Sequence, residues 1–143
     1  MCPVSLVNHW NSEIKRYFGN DPIFRTFIVE KNALTLPMLT ESKFNVIIVS
    51  DRNLIKNIAV LKQVHYLCAI FDEAHLLKND KNRLSICVKE LNCKHRLALT
   101  GTPIQNNLLE LWSIFDILMP SYLGSKDEFK KSFSKLFNLS LLS

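Results

Sequence analysis

Glycine is scarce in this 143-residue chain: Gly19, Gly101 and Gly124 are its three glycines, and none is followed by lysine. A GxxxxGK[ST] loop, whose backbone N–H groups cradle phosphates, is therefore absent. The four cysteines, Cys2, Cys68, Cys87 and Cys93, include no CxxC pair. None stands at finger-like spacing from His9, His65, His75 or His95, which argues against zinc held through sulfur. Two of them lie in apolar stretches where a small buried thiol fits, and the set reads as reduced and intracellular. No apolar run reaches the roughly 18 residues that cross a bilayer. Met1-Cys2-Pro3 does not open a basic-then-apolar signal sequence. Internal repeats and low-complexity segments are lacking too.

What is present is enough for one compact domain, or a piece of one: 48% of residues are hydrophobic. Lys and Arg number 18 against 13 Asp and Glu, a formal charge of +5 that favours a polyanionic partner. Leu6, Trp10, Ile14 and Tyr17 recur at helical spacing, which predicts a helix over Ser5 to Phe18 with Ser5 as N-cap and Gly19 as its stop. Ile23 to Val29 and Phe44 to Val49 are short and rich in β-branched and aromatic residues, as strands are. A helix over Asn53 to Lys62 leads to a third strand, Tyr66 to Phe71, which ends abruptly in Asp72-Glu73. Leu84, Val88 and Leu91 mark a helical face, Arg96 to Thr100 a short strand, and Leu108 to Met119 an apolar helix stopped by Pro120. A terminal helix runs from Lys126 to Phe137, with Phe129, Phe133 and Leu136 on one face. Alternating strands and helices joined by short linkers predict an α/β fold, a parallel sheet flanked by helices.

Ligands of open α/β sheets gather at the carboxyl ends of the strands. Two motifs fall there. Asp72-Glu73-Ala74-His75 follows the third strand directly, so a buried sheet would hold two adjacent carboxylates at its rim. Oxygen ligands suit Mg²⁺, which fits Asp72 to the cation of a bound nucleotide and Glu73 to orienting and deprotonating a water. Alone, such a pair could equally serve the positive end of the following helix. Leu99-Thr100-Gly101-Thr102-Pro103 follows the next strand; its hydroxyls could hydrogen-bond across to the acidic motif, with Gly101 permitting a tight turn, or the segment could be an ordinary turn.

Together the motifs resemble the Swi/Snf-type ATPases of helicase superfamily 2. That family's first lobe carries an acidic DEAH-type box and, one strand later, a loop like Leu99 to Asn107 with Glu110-Leu111-Trp112 beyond. Pro3-Val4-Ser5-Leu6 with Trp10 and Glu13 is similar to its motif Ia, Lys78-Asn79 follows the box as in the family, and Val46 to Ser50 resembles motif Ib, with Asp51 in place of the usual tyrosine. The resemblance covers residues 1 to 135; Leu136 to Ser143 departs from the pattern as a divergent tail. It implies a RecA-like, incomplete first helicase lobe that lacks its phosphate-loop strand. By the same resemblance ATP and Mg²⁺ are the cofactors, Asp72 binds the metal and Glu73 is the catalytic carboxylate. His75, Thr100, Gly101, Thr102 and Gln105 would couple the nucleotide site to DNA, and Ser5 and Ser50 would approach the backbone of double-stranded DNA. Leu111 to Pro120 with Tyr122-Leu123-Gly124 is most similar to the branch that strips TATA-binding protein from promoter DNA, although that branch commonly has glycine where this chain has Ala74. A nuclear location and a second lobe as partner are further implications.

The resemblance places the phosphate loop ahead of Met1 and the second lobe, with its arginine finger, beyond Ser143. The phosphate-loop strand lies centrally in such sheets, so its loss would expose unpaired backbone groups. Without the phosphate-binding lysine and the arginine, a phosphoryl-transfer transition state loses most of its stabilisation, so the chain alone is expected to be inactive. Other readings are a DNA-repair translocase of the same family and a non-catalytic lobe that binds DNA or protein. An RNA helicase of the DEAH class is disfavoured, because it carries Ser-Ala-Thr where this chain has Thr100-Gly101-Thr102. Trp10, Trp112, Phe115 and Phe129 are read as core, Lys78, Lys81, Arg83, Lys89, Lys94 and Arg96 as a solvated basic face, and His65 and His95 as polar strand ends.

Overall fold

The computed structural model describes the chain except residues 20, 22, 31–33, 41–43, 102–107 and 141–143. A 3₁₀ turn, Val4–Leu6, leads into α1, Val7–Phe18. Then come β1 (Thr26–Val29), α2 (Leu36–Thr40), β2 (Val46–Val49), α3 (Asp51–Leu61), β3 (Tyr66–Phe71), a 3₁₀ turn over Ala74–Leu77, α4 (Arg83–Glu90), β4 (Cys93–Ala98), α5 (Leu108–Leu118) and α6 (Lys126–Ser140). β1 pairs with β2 and β3 with β4, both in parallel. The alternation read from sequence is the architecture found.

Local differences have physical causes. Ser5 does not cap α1: it lies in the 3₁₀ turn, and neither that turn nor α1 takes a side-chain cap. Gly19 does end the helix, donating to the Lys15 carbonyl at 2.8 Å from a φ of 58° that glycine adopts freely. α3 begins two residues earlier than the apolar pattern suggests because the Ser50 hydroxyl accepts the Asn53 N–H at 3.2 Å. α2 was not legible, being five residues long with Pro37 inside it. β1 is trimmed to its last four residues, and β4 spans Cys93–Ala98 rather than Arg96 to Thr100, so His95 is an exposed residue inside the strand and not its end.

The core gathers residues of strands and helices, among them Val49, Leu54, Leu61, Phe71, Val88 and Ile117, each 6% exposed or less. Asn57 is buried with them; its carbonyl accepts Leu34 N–H at 3.1 Å while its amide donates to the Asn53 carbonyl. Asn53 in turn donates to the Val29 carbonyl at 2.9 Å, which ties α3 to the end of β1. Among the cysteines Cys2 and Cys87 are buried, whereas Cys68 is exposed despite its apolar surroundings in sequence.

Candidate nucleotide-hydrolysis site

β3 is a run of six apolar or aromatic residues whose last, Phe71, is 1% exposed. Anchoring that end in the core fixes the next residues at the carboxyl rim. Asp72 is half-buried there: its backbone N–H donates to the Met1 carbonyl at 2.9 Å, one carboxylate oxygen accepts the Trp10 indole N–H at 2.7 Å, and the other accepts the Glu73 N–H at 3.0 Å. Trp10 is thus more than packing. Its indole orients the carboxylate from a helix 62 positions away in sequence.

Glu73 turns the chain through a left-handed conformation, φ 53° and ψ 50°, and opens the 3₁₀ turn. Its carboxylate lies 2.9 Å from His75 Nδ1, both side chains being 39% exposed, at an angle off the line of a hydrogen bond. Ala74 is fully buried, and its N–H donates to the Leu99 carbonyl at 2.9 Å, while Leu99 N–H donates to the Phe71 carbonyl at 2.8 Å. The acidic motif and the Leu99-Thr100 segment are therefore joined backbone to backbone. Thr100 is half-buried immediately beyond that link, and Gly101 is exposed. Open space surrounds the position of a Cβ on Gly101, whose φ lies outside the left-handed region, so the turn does not draw on glycine's freedom. Thr102 and Gln105 lie outside the described residues.

Ser5 and Ser50 part company. Ser5 is exposed, whereas Ser50 is 3% exposed and engaged as the cap of α3. The basic residues are also not one solvated face. Lys78 pairs with Glu110 at 3.0 Å and Lys89 with Asp116 at 2.5 Å. Arg96 donates to the carbonyls of Ile117, Lys89 and Leu91 at 2.8 to 3.2 Å, closing the ends of α4 and α5 with its cationic fork. Of the aromatic residues read as core, Trp112 and Phe129 are buried, Trp112 also donating to the Gly124 carbonyl at 3.2 Å; Trp10 and Phe115 are half-buried.

Chemically, the rim offers a fixed carboxylate with free lone pairs at Asp72 and a more accessible one at Glu73. No three His, Cys, Asp or Glu side chains converge as a metal cage among the described residues. A Mg²⁺ that takes one or two carboxylates, phosphate oxygens and waters does not need such a cage, so the donor set fits the cation of a nucleotide.

Comparison with known proteins is consistent with this geometry. The family described as SNF2-related domain matches residues 1–140. The TATA-binding protein-associated factor MOT1 of Saccharomyces cerevisiae is 41% identical over 140 residues, which are 94% of this chain and 7% of that protein. The Homo sapiens SWI/SNF-related matrix-associated actin-dependent regulator of chromatin subfamily A member 1 is 36% identical over 136 residues, 93% of this chain and 13% of that one. The solved Sulfolobus solfataricus SWI2/SNF2 ATPase core in complex with double-stranded DNA superposes with a TM-score of 0.76 at 33% identity, covering 91% of this chain and 26% of that chain. The chain therefore spans a small part of the relatives it matches. By sequence and by fold, it belongs to the SNF2-related family.

Proposed function

We propose that this chain is the acidic-box part of the first lobe of an ATP-driven translocase on double-stranded DNA, working in the nucleus on protein–DNA complexes. The observation that carries the reading is the bond from Ala74 N–H to the Leu99 carbonyl. Through it the turn bearing Asp72 and Glu73 is bonded to the segment leading to Thr100. ATP with its Mg²⁺ would supply the phosphoryl group and the charge that stabilises its transfer. Asp72 would hold the cation, kept in place by Trp10. Glu73 would accept a proton from the attacking water at its carboxylate. His75, against Glu73, and Thr100 to Thr102 with Gln105 would relay the state of that carboxylate to the DNA-facing side, where Ser5 is exposed. Displacement of TATA-binding protein is the finer reading, supported by the 41% identity to the yeast associated factor. In this chain alone the phosphate loop is missing, so it is expected not to hydrolyse ATP on double-stranded DNA; measurable DNA-stimulated turnover would overturn that.

The direct test replaces the matching segment of the yeast relative by residues 1–140. The chimera is expected to hydrolyse ATP in response to double-stranded DNA. In it, Glu73→Gln should retain ATP binding and lower turnover by about 10²- to 10⁴-fold. Turnover unchanged by Glu73→Gln defeats the assigned role, and a chimera that hydrolyses ATP yet leaves TATA-binding protein on DNA limits the reading to the translocase.

A further inference from the structure

The turn that follows the acidic pair is tied down at both ends. At its start Ala74 N–H donates to the Leu99 carbonyl at 2.9 Å. At its close Lys78 sets its Nζ 3.0 Å from Glu110 Oε2, a carboxylate in the first turn of α5. Leu99 opens the second motif, and α5 begins at Leu108 just past it. The chain thus enters and leaves that motif beside one four-residue 3₁₀ turn. α4 and its cap anchor the turn in their own right: the Asn82 amide donates to the Leu76 carbonyl at 3.0 Å, and the fully buried Ser85 hydroxyl to the Leu77 carbonyl at 3.3 Å.

Exposed ion pairs add little to stability, and Lys62–Glu90, with side chains 47% and 39% exposed, is of that kind. Lys78–Glu110 differs. Its side chains are 17% and 30% exposed, and the Glu110 Oε2 that faces the ammonium is shielded from solvent and accepts no hydrogen bond among the described residues. Loss of Lys78 would leave that oxygen without its compensating charge. Desolvation offsets much of the attraction within such a pair, so an apolar pair of the same volume would hold the fold as well. What an ion pair adds is register: it accepts one placement of α5 against the turn and penalises the others.

We propose that Lys78 and Glu110 are a positioning pair that fixes the first turn of α5 against the acidic turn, and that the response of hydrolysis to DNA depends on this pair while the chemical step does not. The proposal rests on the reading of the site given above, in which Asp72 and Glu73 serve the cation and the water and the second motif passes their state toward DNA. Breaking the pair leaves both carboxylates and the Ala74–Leu99 bond in place, so basal turnover persists. It releases α5 from the turn at the other end of the second motif, and the DNA response is lost with it. The far end of α5 is held independently, by Arg96 on the Ile117 carbonyl and by Lys89 on Asp116, so the helix itself stays packed.

The test has two arms. In the chimera described above, ATP turnover is measured with and without double-stranded DNA for Lys78→Met, for Glu110→Gln and for the exchange of the two charges, Lys78→Glu with Glu110→Lys. Each single variant is expected to keep basal turnover within about twofold and to lower the DNA-stimulated increment about tenfold, and the exchange to restore most of it. In the full chain, Lys78→Met should speed amide exchange at Trp112 and Ser113 about tenfold and leave the amides of β3 and β4 unchanged. Stimulation unaffected by the single variants overturns the proposal, as does basal turnover that falls in step with it. A folded charge exchange as impaired as the single variants overturns it too, and so does unchanged exchange at Trp112 and Ser113, whatever the turnover. Failure of the hydrolysis reading shows separately, as turnover untouched by Glu73→Gln.

Discussion

Both strand pairs are parallel ladders, yet β1–β2 finishes in Val29, Ile48 and Val49, all 6% exposed or less, while β3–β4 leaves Leu67, Ile70 and Leu97 between 46% and 73% exposed. α1 lies against the first pair and α5 against β4, and the first pair carries no candidate chemistry beyond the capping Ser50. The second bears both candidate motifs at its rim. Residue type already sets β4 apart, with Lys94, His95 and Arg96 in it, whereas β3 is apolar like β1 and β2 and differs from them in cover. The pair that positions the site is the one whose surroundings within this chain are less complete.

Four measurements would sharpen or break this contrast. The largest effect is expected from Leu54→Ala, which empties a core site 1% exposed: about 3 to 4 kcal/mol less stable by urea unfolding, set against under about 1 kcal/mol for Leu97→Ala, 47% exposed on β4. Equal costs would erase the distinction between the pairs. Arg96→Leu comes next. It strips donors from three carbonyls at the ends of α4 and α5 and should cost about 2 to 3 kcal/mol, measured the same way, while leaving amide protection in β1–β2 intact. Ser50→Ala removes the cap of α3 and should cost about 1 kcal/mol, fraying the first turn of α3 and leaving β4 unchanged in hydrogen exchange.

The smallest effect is confined to alkali. Burial, with a lesser contribution from Cys93, pushes the Tyr66 phenol up to about 12. Its hydroxyl donates to the Leu61 carbonyl at 2.9 Å, linking β3 to the end of α3. Since the folded pKa lies above the unfolded one near 10, this contribution is intact below pH 10 and fades as the pH climbs toward 12. Tyr66→Phe should flatten that slope in thermal melts; an unchanged slope would show that the phenol is not its source.

Much of the frame was legible because apolar runs and helical spacing are local. The bounds of β3, Tyr66–Phe71, were readable to the residue, since six apolar or aromatic side chains meet two carboxylates. The site was legible as two motifs at strand ends, but their union through Ala74 and Leu99 depends on β3 and β4 being neighbours, which no local pattern states. Trp10 showed itself in sequence as a core aromatic and a motif residue; that its indole meets Asp72 is a fact of tertiary packing. Arg96 was hidden for the opposite reason, since an arginine among lysines looks solvated until the carbonyls it closes are in place. Cys68 misled because an apolar stretch suits a small buried thiol, whereas in the fold it is exposed.

The backbone of Glu73 carries one more consequence. A non-glycine residue at φ 53° is strained by about 1 kcal/mol, and glycine would relieve it. Glu73→Gly should therefore hold the fold at least as firmly as the natural residue while removing the carboxylate. Selection for robustness alone would favour that exchange. If the Glu73 carboxylate acts as proposed above, stability and reactivity pull in opposite directions at this position, and a sturdier protein would be a less capable one.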